Sequence, residues 1–170
     1  CRIPKENLIA KEGMGFIVAM KTLDKSRTGV GAQGVGVAQG AFDEAVKFAR
    51  QRHQFGHPII SFQAIQHMLA DMAIQIEAAR SLVYAVARFI DSDAKDISKE
   101  SAMAKTFATD VAMKVTVDAV QIMGGAGYMR EYPVEKMMRD AKILQIYEGT
   151  NQIQRNVIGQ EIIREAAKKR

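Results

Sequence analysis

Hydrophobic residues recur at intervals of three, four or seven along most of the chain, which is the spacing of an amphipathic helix. The first such segment begins at Gly15. Its apolar positions are Phe16, Met20, Leu23, Val30, Val37, Phe42, Val46 and Ala49. The pattern predicts one long helix that continues to about Gln54 and is ended by Gly56 and Pro58 in "FGHPI".

Three more long helices and one short helix are predicted downstream. The second helix spans about residues 61–91, and the third spans about residues 98–123, where "GGAGY" ends it. Pro133 suits the first turn of the short helix in "PVEKMMRDAK", and Thr150 is the predicted N-cap of the last helix, which continues to about Ala167. The apolar runs at 59–60 and 143–146 are too brief to support a sheet. The sequence therefore predicts an all-α fold, an antiparallel four-helix bundle with an extra short helix.

The stretch "GVGAQG", Gly29 to Gly34, has the G-x-G-x-x-G spacing of a dinucleotide-binding turn. Such a turn needs a short strand before it and a helix that starts at the glycines. The preceding segment, "FIVAMKTLDKSR", is amphipathic and charged instead. The glycines are therefore expected inside the first helix, where each costs about 1 kcal/mol relative to Ala. Close approach of another helix or of a ligand would explain them.

Composition and charge narrow the function classes. Hydrophobic residues make up 48% of the 170 residues, which is enough for a core in one domain. The net charge of +5 is spread along the chain. The sequence shows no concentrated basic face with stacking aromatics, so nucleic-acid binding is not predicted. The sequence contains no run of about 18 apolar residues, so no membrane span is predicted. One cysteine, Cys1, excludes an internal disulfide and a cysteine-based metal site.

The chain starts with Cys and not Met, and it shows no signal peptide, so we interpret it as a piece of a longer protein.

Few residues suggest chemistry by themselves. The three histidines, His53, His57 and His67, have no carboxylate at ligand spacing, so no metal site is predicted. The most unusual stretch is "IYEGTNQ", in which Glu148 stands at the end of an apolar run and just before a helix N-terminus. Such a carboxylate suits a general base, and the backbone N–H groups of a helix start suit an anion. A capped loop without catalytic function is the alternative.

Five stretches, in their order along the chain, resemble the C-terminal part of acyl-CoA dehydrogenases. They are "LDKSR", "RHQFG", "FQAIQHMLADMA", "AVQIMGGAGY" and "EYPVEKMMRDAKILQIYEGTNQIQR", and they cover nearly the whole chain. The opening "RIPKENLI" resembles the end of the family's middle β-domain. The resemblance implies a connector or domain tail over residues 1–13 and a C-terminal helical-bundle domain over residues 14–170.

This resemblance implies a flavoenzyme that desaturates an acyl-CoA thioester between its α and β carbons. By match to "YEGT", Glu148 would be the base that removes the α proton, while the β hydrogen leaves as hydride to N5 of FAD. In some relatives the base lies instead on the first long helix, at the position held here by Ser26. Serine cannot serve that role, so the resemblance places the base at Glu148.

The resemblance also implies binding residues. Asp24, Arg27, Tyr147 and Gly149 would line the acyl-CoA site, and Thr150 with Gln152 would contact the FAD of the chain's own subunit. Arginine suits a pyrophosphate because its planar fork pairs with two oxygens. The residues that would reach the FAD of a neighbouring subunit are Arg52, Gln54, Phe55, Gln63, Gln121, Gly124 and Gly125. Surface charges and a simple glycine turn are the alternatives for this set.

The implied partners are an acyl-CoA substrate, electron-transferring flavoprotein as electron acceptor, and further copies of the chain in a homotetramer. The sequence as a whole resembles the short-chain or short-branched-chain members of the family. The compartment would be the bacterial cytoplasm or the mitochondrial matrix. By itself the 170-residue chain is expected to fold but to bind FAD weakly and not to turn over. The competing function class is a non-catalytic helical bundle that serves as a scaffold or oligomerisation module.

Overall fold

The computed structural model describes residues 1–168, which form five α-helices and a very small hairpin. Their bounds are α1 Gly15–Gln51, β1 His53–Gln54, β2 His57–Pro58, α2 Gln63–Asp91, α3 Ser98–Met123, α4 Val134–Leu144 and α5 Asn151–Lys168. Short 3-10 segments occupy Lys5–Asn7, Ile59–Ser61 and Gly124–Tyr128. The predicted all-α class is confirmed, and α3 has the predicted bounds.

The four long helices, α1, α2, α3 and α5, form a bundle in which successive helices run antiparallel. Arg80 on α2 donates to Gln39 on α1, whereas Val83 lies against Gly31, so residue numbers run in opposite directions on these two helices. The α5 helix is likewise antiparallel to α3, with Asn151 beside Thr109 and Glu165 beside Lys99. The predicted four-helix bundle with an extra short helix, α4, is therefore confirmed.

Helices α1 and α3 run parallel and approach each other through small residues. The Thr28 and Ser101 hydroxyls are 3.1 Å apart, and one turn further a Cβ at Gly31 would lie 3.2 Å from the carbonyl oxygen of Ala104. A Cβ at Gly34 would lie 3.0 Å from the carbonyl oxygen of Ala108. The close approach of a neighbouring helix is therefore the reason for these two buried glycines of "GVGAQG".

The core is lined by short side chains on α1 and α3 and by longer ones on α2. Ala38, Ala41, Ala45 and Ala49 of α1 are fully buried. The apolar stripe predicted on α1 is partly wrong, because Phe16 is 75% exposed and Met20 also faces solvent. The alanine and glycine face is buried instead, since helices with small residues between them pack more closely than helices with large ones.

The end of α1 differs from the prediction by three residues. The helix stops at Gln51, and the next residues form a hairpin in which His53 pairs with Pro58 and Gln54 with His57. The two residues between the strands, Phe55 and Gly56, have φ values of 53° and 82°, as in a type I′ turn. This two-residue ladder precedes the apolar run at 59–60, which forms a 3-10 turn and not a strand. The 3-10 turn that follows delays the start of α2 to Gln63.

The segment before α1 contains no strand within the described residues. It has one 3-10 turn and a left-handed Gly13, and its side chains are exposed. No helix within residues 1–168 is both long enough and apolar enough to cross a membrane.

Candidate active site

Glu148 lies in the loop between α4 and α5, in an unusual backbone conformation. Its φ is 53° and that of Gly149 is 92°, so two successive residues are left-handed. This conformation costs a residue with a side chain about 1–2 kcal/mol. Gly149 has no such cost, and a Cβ there would lie 2.6 Å from Nε2 of Gln154. Strained residues of this kind occur at functional sites, where the surrounding contacts hold them.

Two side chains bind the carbonyl groups of this loop. Gln154 Nε2 donates to the carbonyl oxygens of Glu148 and Gly149, both at 3.1 Å. Lys105 Nζ donates to the Gly149 carbonyl at 3.0 Å and to Oδ1 of Asn151 at 2.8 Å. Both donors are fully buried. The loop is thus fixed from α5 by Gln154 and from α3 by Lys105.

The carboxylate of Glu148 contacts α1. Ser26 donates its hydroxyl to Oε2 of Glu148 at 2.7 Å, although 122 residues separate the two in the chain. No side chain within residues 1–168 donates to the other oxygen, Oε1. The structure therefore brings together Glu148 and the α1 position considered as the alternative place for a base.

Asp24 and Arg27 lie one turn apart on α1 near this loop. Arg27 Nη1 donates to Oδ1 of Asp24 at 2.7 Å, and the Ser98 hydroxyl donates to the same oxygen at 2.9 Å. Arg27 is only 5% exposed, and its buried Nε has no hydrogen-bond acceptor within residues 1–168. These charges are therefore not a solvated helix face, and the guanidinium retains a free donor.

Tyr147 precedes Glu148 and is partly exposed. Its hydroxyl donates to Oε1 of Gln33 on α1. Desolvation raises the pKa of the Tyr147 phenol, and the nearby Glu148 carboxylate raises it further. The phenol thus remains a donor at neutral pH and joins the loop to α1.

The start of α5 lies next to the same loop. Thr150 is the N-cap, as predicted, because its Oγ1 accepts from the backbone N–H of Ile153 at 3.2 Å. The backbone N–H groups of Glu148, Gly149 and Thr150 have no acceptor within residues 1–168. Three successive unpaired donors of this kind can bind an anion or a polarised carbonyl oxygen.

The other predicted cofactor residues lie at the opposite end of the bundle. Arg52 follows α1 by one residue, and at about 1.5 Å per residue it stands about 38 Å from Arg27 along the helix. Phe55 is 90% exposed and makes an edge-to-face contact with Phe62. Gly124 has a φ of 60°, and both it and Gly125 have open space where a Cβ would stand. The side chains of this set that make no hydrogen bond within residues 1–168 are Arg52, Gln54, Gln63 and Gln121.

No group of three or more His, Cys, Asp or Glu side chains within residues 1–168 is placed to hold an ion. His53 and His57 lie on the two strands of the hairpin, so they do not share a helix face.

Comparison with known proteins decides the family. Residues 13–163 match the model of the acyl-CoA dehydrogenase C-terminal domain. The chain belongs to the acyl-CoA dehydrogenase family. It spans 39–43% of the length of the curated acyl-CoA dehydrogenases that it matches, so it corresponds to less than half of such an enzyme.

Three solved structures are similar to this chain along nearly its whole length. One chain belongs to a structure of the electron transferring flavoprotein of Acidaminococcus fermentans, and it is 57% identical with a TM-score of 0.93 over 96% of this chain and 43% of that chain. Butyryl-CoA dehydrogenase from Megasphaera elsdenii is 52% identical with a TM-score of 0.91, covering 95% and 42%. An acyl-CoA dehydrogenase from Bacillus anthracis, complexed with FAD, is 34% identical with a TM-score of 0.92, covering 98% and 32%.

Sequence reasoning missed several residues that this acyl-CoA dehydrogenase domain uses to build the loop. Lys105, Asn151 and Gln154 are all buried and all bind the loop or its network. One signal was available for Lys105, which stands four residues after Ser101 and four before Thr109. These three polar residues share one helix face with buried alanines, and a lysine at such a position requires internal partners.

The Lys105 ammonium is central to a polar network between α3, the loop after α4, and α5. Its partner Asn151 donates to Oδ1 of Asp110 at 2.7 Å, and Arg155 pairs with the same carboxylate at 2.7 Å. Burial lowers the pKa of Lys105 from 10.5 to about 8; the Asp110 carboxylate opposes this shift, Arg27 adds to it, and Glu148 opposes it.

This lowered pKa predicts how stability depends on pH. Between about pH 8 and 10.5 the unfolded chain keeps a proton on Lys105 that the folded chain has lost. The unfolded state then binds more protons, so this lysine makes the free energy of unfolding rise with pH in that window. Urea titrations at several pH values between 8 and 10 should show a smaller rise for Lys105→Met than for Lys114→Met, an exposed lysine on the same helix. Equal slopes for the two variants would contradict the assignment.

Proposed function

We propose that the complete protein is an FAD-dependent acyl-CoA dehydrogenase in which Glu148 is the base that removes the α proton of an acyl-CoA thioester. The observation that supports this most is the position of the Glu148 carboxylate. It stands in a left-handed loop fixed from two helices, with one oxygen engaged by Ser26 and the other without a donor in the described chain. A left-handed glutamate that two buried side chains hold in place fits a functional site, where surrounding contacts maintain such strain.

Glu148 can accept the proton on Oε1, because Ser26 already occupies Oε2. The Ser26 hydroxyl then limits rotation of the carboxylate. The unpaired N–H of Glu148 can donate to the thioester carbonyl oxygen, where negative charge develops as the proton leaves. Bound FAD supplies the hydride acceptor for the β hydrogen.

The donor sets of this chain fit an anionic dinucleotide. Arg52 and the side-chain amides of Gln54, Gln63 and Gln121, which make no hydrogen bond within residues 1–168, can bind phosphate oxygens. The open space at Gly124 and Gly125 permits close approach of a ligand to the backbone. Thr150 and Gln152 flank Asn151, which contacts Thr109 on α3. Gln121 and Gly124 follow Thr109 by 12 and 15 residues, which corresponds to about 18 and 22 Å along the axis of α3. This separation supports an oligomer in which each FAD is held between neighbouring copies.

Asp24 and Arg27 are proposed to line the acyl-CoA site with Tyr147 and Gly149. The buried Arg27 guanidinium keeps an unpaired Nε, and its charge acts on Lys105, which binds the Glu148 loop. Butyryl-CoA dehydrogenase is among the similar structures, which favours a short-chain acyl-CoA as substrate. Electron-transferring flavoprotein is the proposed electron acceptor, and a structure of that name contains a similar chain.

The test is anaerobic mixing of the complete, flavin-loaded protein with butyryl-CoA. The flavin absorbance should bleach as the α,β-unsaturated product forms. The isolated 170-residue chain should bind FAD weakly and show no bleaching, because it spans less than half of the related enzymes. A complete protein that binds flavin but does not bleach with acyl-CoA thioesters of several chain lengths would favour the scaffold function instead.

A further inference from the structure

We propose that Lys105 is a positioning residue for Glu148: its ammonium, buried in the bundle, fixes the Gly149 carbonyl and thereby the backbone from which the Glu148 side chain extends. This inference rests on the proposed function, in which Glu148 is the base. It concerns a residue on α3 that makes no hydrogen bond with the Glu148 carboxylate within residues 1–168. Besides the attraction between the two charges, its effect passes through the loop.

The loop needs external contacts to keep its conformation. Glu148 and Gly149 are both left-handed, and a glutamate adopts that region only where its surroundings favour it. The two carbonyl groups of these residues accept three hydrogen bonds from side chains, two from Gln154 and one from Lys105. In a trans peptide the N–H points opposite to the carbonyl. Fixing these carbonyls therefore also directs the N–H of Gly149 away from Gln154, and the N–H of Thr150 away from Gln154 and Lys105.

The two donors are not equivalent. Gln154 stands six residues after Glu148, in the first turn of α5, so it can move together with the loop. Lys105 is 44 residues away from Gly149, on the helix at the centre of the bundle. The same ammonium also binds Asn151, the first residue of α5. Lys105 thus connects the core helix α3 directly to the loop, and together with Thr109 and Asp110 it connects α3 to the helix that follows.

A charged donor is suited to this task. A hydrogen bond from an ammonium is stronger than one from an amide or a hydroxyl, and it strengthens further in a site without water. Three charged groups act on Lys105: Arg27 from α1, Asp110 from α3 itself and Glu148 from the loop. Arg155 of α5 pairs with Asp110 and neutralises part of its charge. Lys105 is completely buried, so solvent does not replace these contacts.

The test compares Lys105→Met with Lys114→Met in the complete, flavin-loaded protein. Lys114 is an exposed lysine on the same helix, paired with Asp118, so it is a matched control. In a single anaerobic turnover with butyryl-CoA, the rate constant of flavin bleaching per bound flavin should fall about 10–100-fold in Lys105→Met, because a small displacement of a base has such an effect. The dissociation constant for butyryl-CoA should change far less. The control should keep both values.

Hydrogen–deuterium exchange gives a readout that does not depend on activity. Backbone amides of residues 145–152 should exchange faster in Lys105→Met than in Lys114→Met, while amides in the middle of α2 should not differ. A merely structural loss would lower the amount of flavin-loaded protein without changing the rate per bound flavin. Equal rates per bound flavin in the two variants, or equal exchange in the loop, would overturn the proposal.

A second variant covers the case in which Lys105→Met does not fold. Lys105→Gln removes the charge but keeps an N–H donor, so we expect an intermediate loss of rate and intermediate loop exchange, and a rate equal to the control would again overturn the proposal. Failure of the proposed function would look different. If Glu148→Gln stays fully active, Glu148 is not the base, whereas the exchange measurement still reports whether Lys105 fixes the loop.

Discussion

Glu148→Gln in the complete protein lowers the rate of flavin reduction by acyl-CoA by about 10²–10⁴-fold, the usual contribution of a positioned general base. Glutamine has nearly the same volume, and its amide can still pair with the Ser26 hydroxyl, whose partner oxygen is 2.7 Å away in the wild type. The amide cannot take up the α proton. We therefore expect the loop and FAD binding to persist while the chemical step is lost. Stopped-flow measurement of flavin absorbance after anaerobic mixing with butyryl-CoA checks this.

The matched control for this change is Glu77→Gln. Glu77 is an exposed residue on α2 that pairs with Arg80, away from the loop. It should bleach at the wild-type rate. Bleaching by Glu148→Gln at the wild-type rate would show that another group removes the proton, and the assignment of the base would have to be withdrawn.

Gly34→Leu is expected to destabilise the domain by about 3 kcal/mol, within the upper range for overpacked cores. A Cβ at this position would lie 3.0 Å from the carbonyl oxygen and 3.1 Å from the carbonyl carbon of Ala108. Both are backbone atoms of α3, so they cannot rotate away as a side chain would. The two helices would have to separate, and the alanine contacts around them would loosen. For a chain of this length the loss corresponds to a melting temperature about 6–12 °C lower.

Gly36→Leu is the control for the packing argument. It lies two residues further along the same helix and has no atom within 4 Å of the place where a Cβ would stand. It makes the same change in helix propensity without the contact with α3. Thermal unfolding followed by circular dichroism should show Gly36→Leu close to the wild type or slightly more stable. Equal melting temperatures for the two variants would mean that α1 and α3 do not depend on a small residue at position 34.

The candidate site could be predicted in part from the sequence. The local stretch "YEGTNQ" indicated a carboxylate before a helix start, and Thr150 proved to be the N-cap. The function of Glu148 as the base, and the cofactor residues, stay predictions. The buried ligands of the loop were not predicted, because Lys105 and Gln154 look like ordinary helical residues until their partners are known.

The local sequence pattern determined the helices of this chain and its family. Apolar spacing and the breaks at Gly56, Pro58 and "GGAGY" set the helices to within a few residues, and the motifs set the family, because both signals lie between residues close in sequence. Tertiary structure decided which face of α1 is buried, that Gly34 meets α3, and that Ser26 and Lys105 reach the Glu148 loop. Those contacts join residues 44 to 122 positions apart, and their geometry depends on how closely the helices pack. Helical periodicity specifies a face, but it does not specify the partner that covers it.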